Sequence, residues 1–160
     1  MQNNLALSIK PEWEEIENVR NTGRKFLKSH KLSDEIMDAL TMVISELVEN
    51  AIKYGSFPAG GKIDISIAIQ KSLVIIEVKN PIDDTGIPFL RHLDETIQWI
   101  RGYQDPFESY IIKLRQISSK SLQDLECGLG LVRISYEGRS ILDFYVSEDN
   151  MLNVSAVYNF

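Results

Sequence analysis

Near the start of the chain Leu5, Leu7 and Ile9 alternate with Ala6, Ser8 and Lys10, the period of two that marks a short, half-buried strand. Pro11 then suits the first position of a helix, where a missing N–H costs nothing. Trp13, Ile16, Val19, Phe26 and Leu27 recur near helical spacing, and Glu12, Glu14 and Glu15 match the positive end of a helix dipole. This predicts a surface helix from Trp13 to about Leu27 with one buried face. A second helix is signalled by Ser33 as its N-cap, by Asp34 and Glu35 in its first turn, and by Leu32 placed to pack on Met37. Ile36, Leu40, Val43, Ile44, Leu47, Val48 and Ala51 give it a broad apolar arc, so it should be the central core helix. Gly55 is placed to end it as a left-handed cap.

From Lys62 to Ile69 the alternation is strict, and Leu73 to Lys79 follows after Gln70-Lys-Ser72, the pattern of an antiparallel hairpin. Between Asn80 and Cys127, Pro81, Pro88, Gly102 and Pro106 act as breaks. Phe89, Leu93, Ile97 and Ile100, and again Tyr110, Leu114 and Ile117, keep helical spacing. A partly helical insertion at about 81–127 is expected. Gly128 to Tyr136 reads as a short helix opened by glycines, and Ile141 to Val146 and Leu152 to Tyr158 as a second hairpin turning through Glu148-Asp-Asn150.

Composition narrows the function more than the fold. At 160 residues, 44% hydrophobic and 25% charged, one soluble domain spanning 1–160 is expected. The net charge of -6 repels phosphate backbones, and the 17 Lys and Arg residues gather into no basic block, which argues against a nucleic-acid partner. The single cysteine, Cys127, and the Met-Gln-Asn-Asn start fit a cytoplasmic protein. No apolar run approaches the roughly 20 residues of a spanning helix, so no membrane segment is expected.

Chemistry concentrates on the second helix. Glu46, Asn50 and Lys53 lie at i, i+4 and i+7 and stack along one flank beside the apolar arc. A carboxylate and an amide oxygen one turn apart suit magnesium or a polarised water, and a nearby ammonium suits phosphate oxygens. On spacing alone, the solvent edge of an amphipathic helix explains the same pattern. Downstream, Glu126-Cys-Gly-Leu-Gly-Leu-Val132 puts two glycines ahead of a helical run, where backbone amides can approach a polyphosphate; tight packing of a helix end on a strand explains that pattern too.

With those residues in place, the chain resembles the Bergerat-type ATPases, the superfamily of gyrase-type topoisomerases, heat-shock chaperones, histidine kinases and mismatch-repair proteins. Within it the likeness is greatest to the small anti-sigma-factor serine kinases of bacterial partner-switching systems. Ser45-Glu-Leu-Val-Glu-Asn-Ala-Ile-Lys-Tyr54 looks like their N box, S-E-x-x-x-N-A-x-[KH]-[HY]. The resemblance implies an α/β (α+β) two-layer sandwich whose mixed, mainly antiparallel sheet is covered on one face by helices. It implies ATP and magnesium as cofactors, with Asn50 coordinating the metal, Glu46 as the base or water-orienting carboxylate, and Lys53 near the phosphates. Gly128-Leu129-Gly130-Leu131 resembles the second glycine box, closing over the phosphates at the end of a lid.

The adenine-recognition box, D-x-G-x-G, has no counterpart that matches at every position. In one register Asn80 replaces the aspartate and, sharing a strand face with Val74, Ile76 and Val78, should point toward the helices. Its neutral oxygen would bind an amino group more weakly than a carboxylate does. In the other, Asp84-Thr-Gly86-Ile-Pro88 keeps the aspartate and first glycine and loses the second. Lys113, Arg115 and Lys120 of the insertion could reach phosphates or simply form a solvated helix face. The implied function is a regulatory protein that binds Mg-ATP and a protein partner, a sigma factor or an antagonist of an anti-sigma factor, with phosphorylation of a Ser or Thr of that partner; homodimerisation belongs to the same expectation. The missing box supports an alternative, a non-catalytic partner-binding module.

Overall fold

The computed structural model describes residues 2–118 and 128–160, with the side chains of 117, 118 and 128 left aside. The order is β1 (Asn4–Ile9), α1 (Glu15–Ser29), α2 (Asp34–Tyr54), β2 (Ile63–Gln70), β3 (Leu73–Pro81), a 3-10 turn (Asp84–Gly86), α3 (Ile87–Arg101), α4 (Pro106–Ser118), α5 (Gly128–Tyr136), β4 (Ser140–Val146) and β5 (Met151–Asn159). The five strands form one sheet in the order β1-β2-β3-β5-β4. All four pairings are antiparallel, so the parallel component of the expected mixed sheet is not present among the described residues. The chain is a two-layer α+β sandwich, as the resemblance implied.

Register decides which side of the sheet meets the helices. Leu5 pairs Ile67, Ile67 pairs Ile76, Ile76 pairs Ala156 and Ala156 pairs Leu142, which puts one apolar row across all five strands on a single face. Ile63, Ile65, Ile67, Val74, Ile76, Val78, Leu152 and Ala156 on this face are buried. The alternate residues Asp64, Lys79, Asp143 and Tyr145 are exposed.

The central helix is α2. Its N-cap forms as the sequence predicts, with Ser33 accepting a bond from the Ile36 N–H at 3.3 Å. Leu40, Val43, Ile44 and Val48 are fully buried. Its end is different from the expectation. Gly55 is extended, at φ -70 and ψ 157, and is no left-handed cap. A Cβ there would lie 2.6 Å from the Ala51 carbonyl and from the Phe57 ring, so a glycine is required by crowding rather than by handedness. The Ser56 N–H then bonds the Pro81 carbonyl at 2.9 Å and directs the chain away from the helix axis.

The first helix also starts later than Pro11 suggests. Residues 11–14 form turns, with the Glu12 N–H on the Lys10 carbonyl and the Glu15 N–H on the Glu12 carbonyl, and Glu14 is the N-cap.

Two helices lie within the 81–127 span. Phe89, Leu93, Ile97 and Ile100 of α3 join the main core, making that helix part of the helical layer. α4 packs on α5, which in turn touches α2, α3 and β4. No helix among the described residues is long and apolar enough to cross a membrane.

Candidate functional site

The face of α2 that carries Glu46 and Asn50 looks toward α5 and the end of β3. Glu46 is half-buried, Asn50 is buried, and Lys53, in the last turn of the helix, is exposed. Glu46 leans on the first turn of α5. A Cβ added to Gly130 would collide with its carboxylate Oε2, so the glycine of the Gly128-Leu129-Gly130-Leu131 run makes room for this side chain. Leu131 is fully buried, and Leu129 is half-buried against the core.

An arginine holds the same carboxylate. Arg133 donates from Nη1 to Glu46 Oε1 at 2.9 Å. Its Nε donates to Glu137 Oε2 at 3.1 Å, and Glu137 Oε1 accepts from the Tyr110 hydroxyl of α4 at 3.0 Å. Tyr110, Glu137 and Arg133 thus form a chain of side chains from α4 to the candidate base. Burial pushes the Glu46 carboxyl above the ordinary glutamate range, and Glu49 adds to the rise, while Arg133 and Lys53 oppose it. A carboxylate with an elevated pKa suits proton acceptance near neutral pH better than a fully solvated one. The hydrogen bond to Glu137 holds the Tyr110 hydroxyl in its protonated form, raising its pKa.

Asn50 opens the other end of the site. It lines a small cavity together with Leu47, Ala51, Val78, Asn80, Phe89, Leu93, Leu131, Leu152 and Val154. Asn80 is 2% exposed, faces the helices, and donates from Nδ2 to the Pro81 carbonyl at 3.0 Å. Of the two registers for the adenine box, the structure therefore brings Asn80 to Asn50. Asp84 is exposed in the 3-10 turn, and Gly86 is buried beneath it against Ile82 and the Tyr54 carbonyl.

The cavity volume is about 10 Å³, against roughly 300–1,000 Å³ for ordinary ligand pockets. An aromatic ring takes the space: Phe89 stacks on Tyr54 with centroids 4.0 Å apart and planes 6° apart.

The two ends differ in their fit to Mg-ATP. Magnesium needs only one or two protein oxygens when phosphates and water supply the rest, and the Asn50 amide can be one. No group of three His, Cys, Asp or Glu among the described residues could hold a metal ion, so an ion here would need phosphate oxygens to complete its shell. Asn50, with Glu46 and the first turn of α5, is thus compatible with the phosphate side of Mg-ATP, while the cavity beside Asn80 has no room for a base in this conformation.

Lys113 is half-buried and Arg115 exposed on α4; Lys120 and Cys127 lie outside the described residues. Sequence reasoning did not single out Arg133, Glu137, Tyr110 or the Tyr54–Phe89 pair. Arg133 follows Gly130 by three residues, one turn along the same helix face, and that spacing was the available signal. Nothing local ties Phe89 to Tyr54.

No family model matches the chain, and no curated protein matches it. Among solved structures, a chain in the crystal structure of the SiaB-SiaC complex from Pseudomonas aeruginosa is similar to it over 98% of this chain and 90% of that one, with a TM-score of 0.73 and 18% identity. At that identity the likeness establishes the fold alone, and it does so over nearly the whole length.

Proposed function

We propose that the chain is a regulatory protein that binds Mg-ATP and a protein partner and transfers the terminal phosphate to a serine or threonine hydroxyl of that partner, in the manner of the anti-sigma-factor serine kinases. The observation that carries this is the placement of Glu46 and Asn50 on one face of α2, with the Glu46 carboxylate against Gly130. Mg-ATP would supply the phosphoryl group. Asn50 would hold the ion by its amide oxygen, and the first-turn amides of α5 would face the phosphates. Glu46 would take the hydroxyl proton as the new O–P bond forms and the bond to ADP breaks. Phosphoryl transfer asks little of a protein beyond such positioning and charge stabilisation. A protein partner is supported by the neighbouring fold, whose structure is that of a two-protein complex.

Calorimetric titration of the purified chain with ATP, with and without magnesium, tests the reading. Magnesium-dependent binding that disappears in Asn50→Ala is the expected result; a wild type that binds nothing at millimolar nucleotide refutes it. A second reading, a partner-binding module without nucleotide chemistry, is favoured by the cavity of about 10 Å³ beside Asn80. In that case partner binding survives Glu46→Ala, Asn50→Ala and removal of nucleotide.

A further inference from the structure

Phe89 sits in the first turn of α3, at the closed end of the site beside Asn80. Phe89 is 8% exposed, lies face to face with Tyr54, and shares its cavity with the two amides, Asn50 and Asn80. A flat ring stacked on an aromatic thus lines, together with two amides, a cavity too small to admit a purine. The remainder of α3 is fixed elsewhere: Leu93 and Ile97 are buried, and Arg101 at its end donates to the Leu142 carbonyl at 2.8 Å. Upstream, the chain is anchored by Ser56 donating to Asp83 at 2.7 Å, by the Thr85 N–H on Asp83 at 2.9 Å, and by the Ile82 N–H on the Asn150 carbonyl at 3.0 Å.

Between these anchors the first turn of α3 is held by the Ile87 N–H on the Asp84 carbonyl and by the packing of Phe89 and Leu90 on the core. Its N-cap is Gly86, which offers no side-chain cap, and Pro88 lies within the first two positions with no N–H to give. Ile87 is 47% exposed. Gly86 itself has ordinary helical φ of -82, and a Cβ there would meet its nearest atoms at 3.7 Å, in ordinary van der Waals contact. The conformation described does not require a glycine at this position, whereas a hinge would make use of one.

Building on the nucleotide reading above, we infer that Phe89 is an internal plug, hinged at Gly86, that occupies the base-binding end of the pocket and must swing out on the first turn of α3 before a purine nucleotide enters. The apparent affinity of the wild type is then its intrinsic affinity multiplied by the fraction of molecules with the plug out. Partner contacts on α3 that favour the open form would raise it. The hinge and the plug act with opposite signs, which makes the inference testable.

Calorimetry and stopped-flow binding of Mg-ATP are to be compared for the wild type, Phe89→Ala, Phe89→Leu and Gly86→Ala. Phe89→Ala is expected to bind about tenfold or more tightly, Phe89→Leu by a smaller factor in the same direction, and Gly86→Ala to associate more slowly. Equal affinity in the wild type and the Phe89 variants overturns the plug and leaves the nucleotide reading standing. No binding to the wild type at millimolar nucleotide overturns both. Should Phe89→Ala fail to fold, hydrogen exchange on the wild type decides: the amides of residues 89–92 exchange faster at saturating Mg-ATP if the plug leaves, and unchanged or slower exchange overturns the inference.

Discussion

The two ends of the site along α2 differ in what surrounds them. At the phosphate end, Glu46 keeps 18% and Arg133 36% of their side-chain surface in contact with solvent, and hydrogen bonds connect them onward to Glu137 and Tyr110. At the base end, Phe89, Leu93, Leu131, Leu152 and Val154 close around Asn80 with hardly room for one water. The first end is assembled from charges that tolerate rearrangement, and the second from close packing, which does not deform gradually. Nucleotide binding would therefore cost little rearrangement on one side and a displaced side chain on the other. The sequence resemblance, close along residues 45–54 and broken where the adenine-recognition motif would lie, has this physical counterpart.

The largest expected contrast between the ends is in stability. Leu131 belongs to the glycine-box run yet is fully buried and lines the closed end, so Leu131→Ala should cost about 2–5 kcal/mol in urea unfolding. Glu46→Ala, at the phosphate end, should cost less than about 1.5 kcal/mol, because it loses one partly exposed ion pair and little packing. Comparable losses in the two variants would mean that the base end is no better packed than the phosphate end, and the contrast would fall.

How much of this could be read in advance depended on how local each cause was. The apolar arc of α2 and its Ser33 cap are encoded within a few residues, and both formed. Glu46 and Asn50 were visible for the same reason, since helical spacing fixes their common face. The end of α2 was not, because Gly55 answers to the Phe57 ring and the Pro81 carbonyl, which no capping rule takes into account. Phe89 shows the limit of periodicity: the spacing of Phe89, Leu93 and Ile97 says that one face of α3 is buried, and not that its first ring lies on Tyr54. Arg133 and Glu46 are 87 residues apart, and their pairing follows from α5 crossing α2, a tertiary fact.

A smaller effect separates the charged groups of the phosphate end from one another. Arg133→Met removes the partner that offsets the burial of Glu46 and leaves Glu137 with only Tyr110 among its side-chain bonds described above. The cost should be about 1 kcal/mol, below the 3–5 kcal/mol of a fully buried broken pair, because water still screens this one. The same variant should raise the Glu46 pKa further, seen as a displaced carboxyl titration by carbon-detected NMR. An unchanged titration would show that the arginine is a structural neighbour with no electrostatic hold on the candidate base.

The smallest effect is a pH dependence, and its sign follows from burial exceeding the attraction of Arg133 at Glu46. Because desolvation first, and Glu49 second, raise this carboxyl in the folded protein, the native state holds its proton to higher pH than the unfolded chain does. Between the two values the native state binds more protons, so stability falls as pH rises through that window and returns as pH falls. Glu46→Gln carries no such proton and imitates the protonated form. In urea titrations across the acidic range, the variant should match the wild type below the window and become relatively more stable as pH climbs past the folded value. A variant that becomes relatively less stable with rising pH would reverse the order of the two terms: Arg133 would then outweigh burial, and Glu46 would be a stabilised ion-pair member, poorly suited to accept a proton.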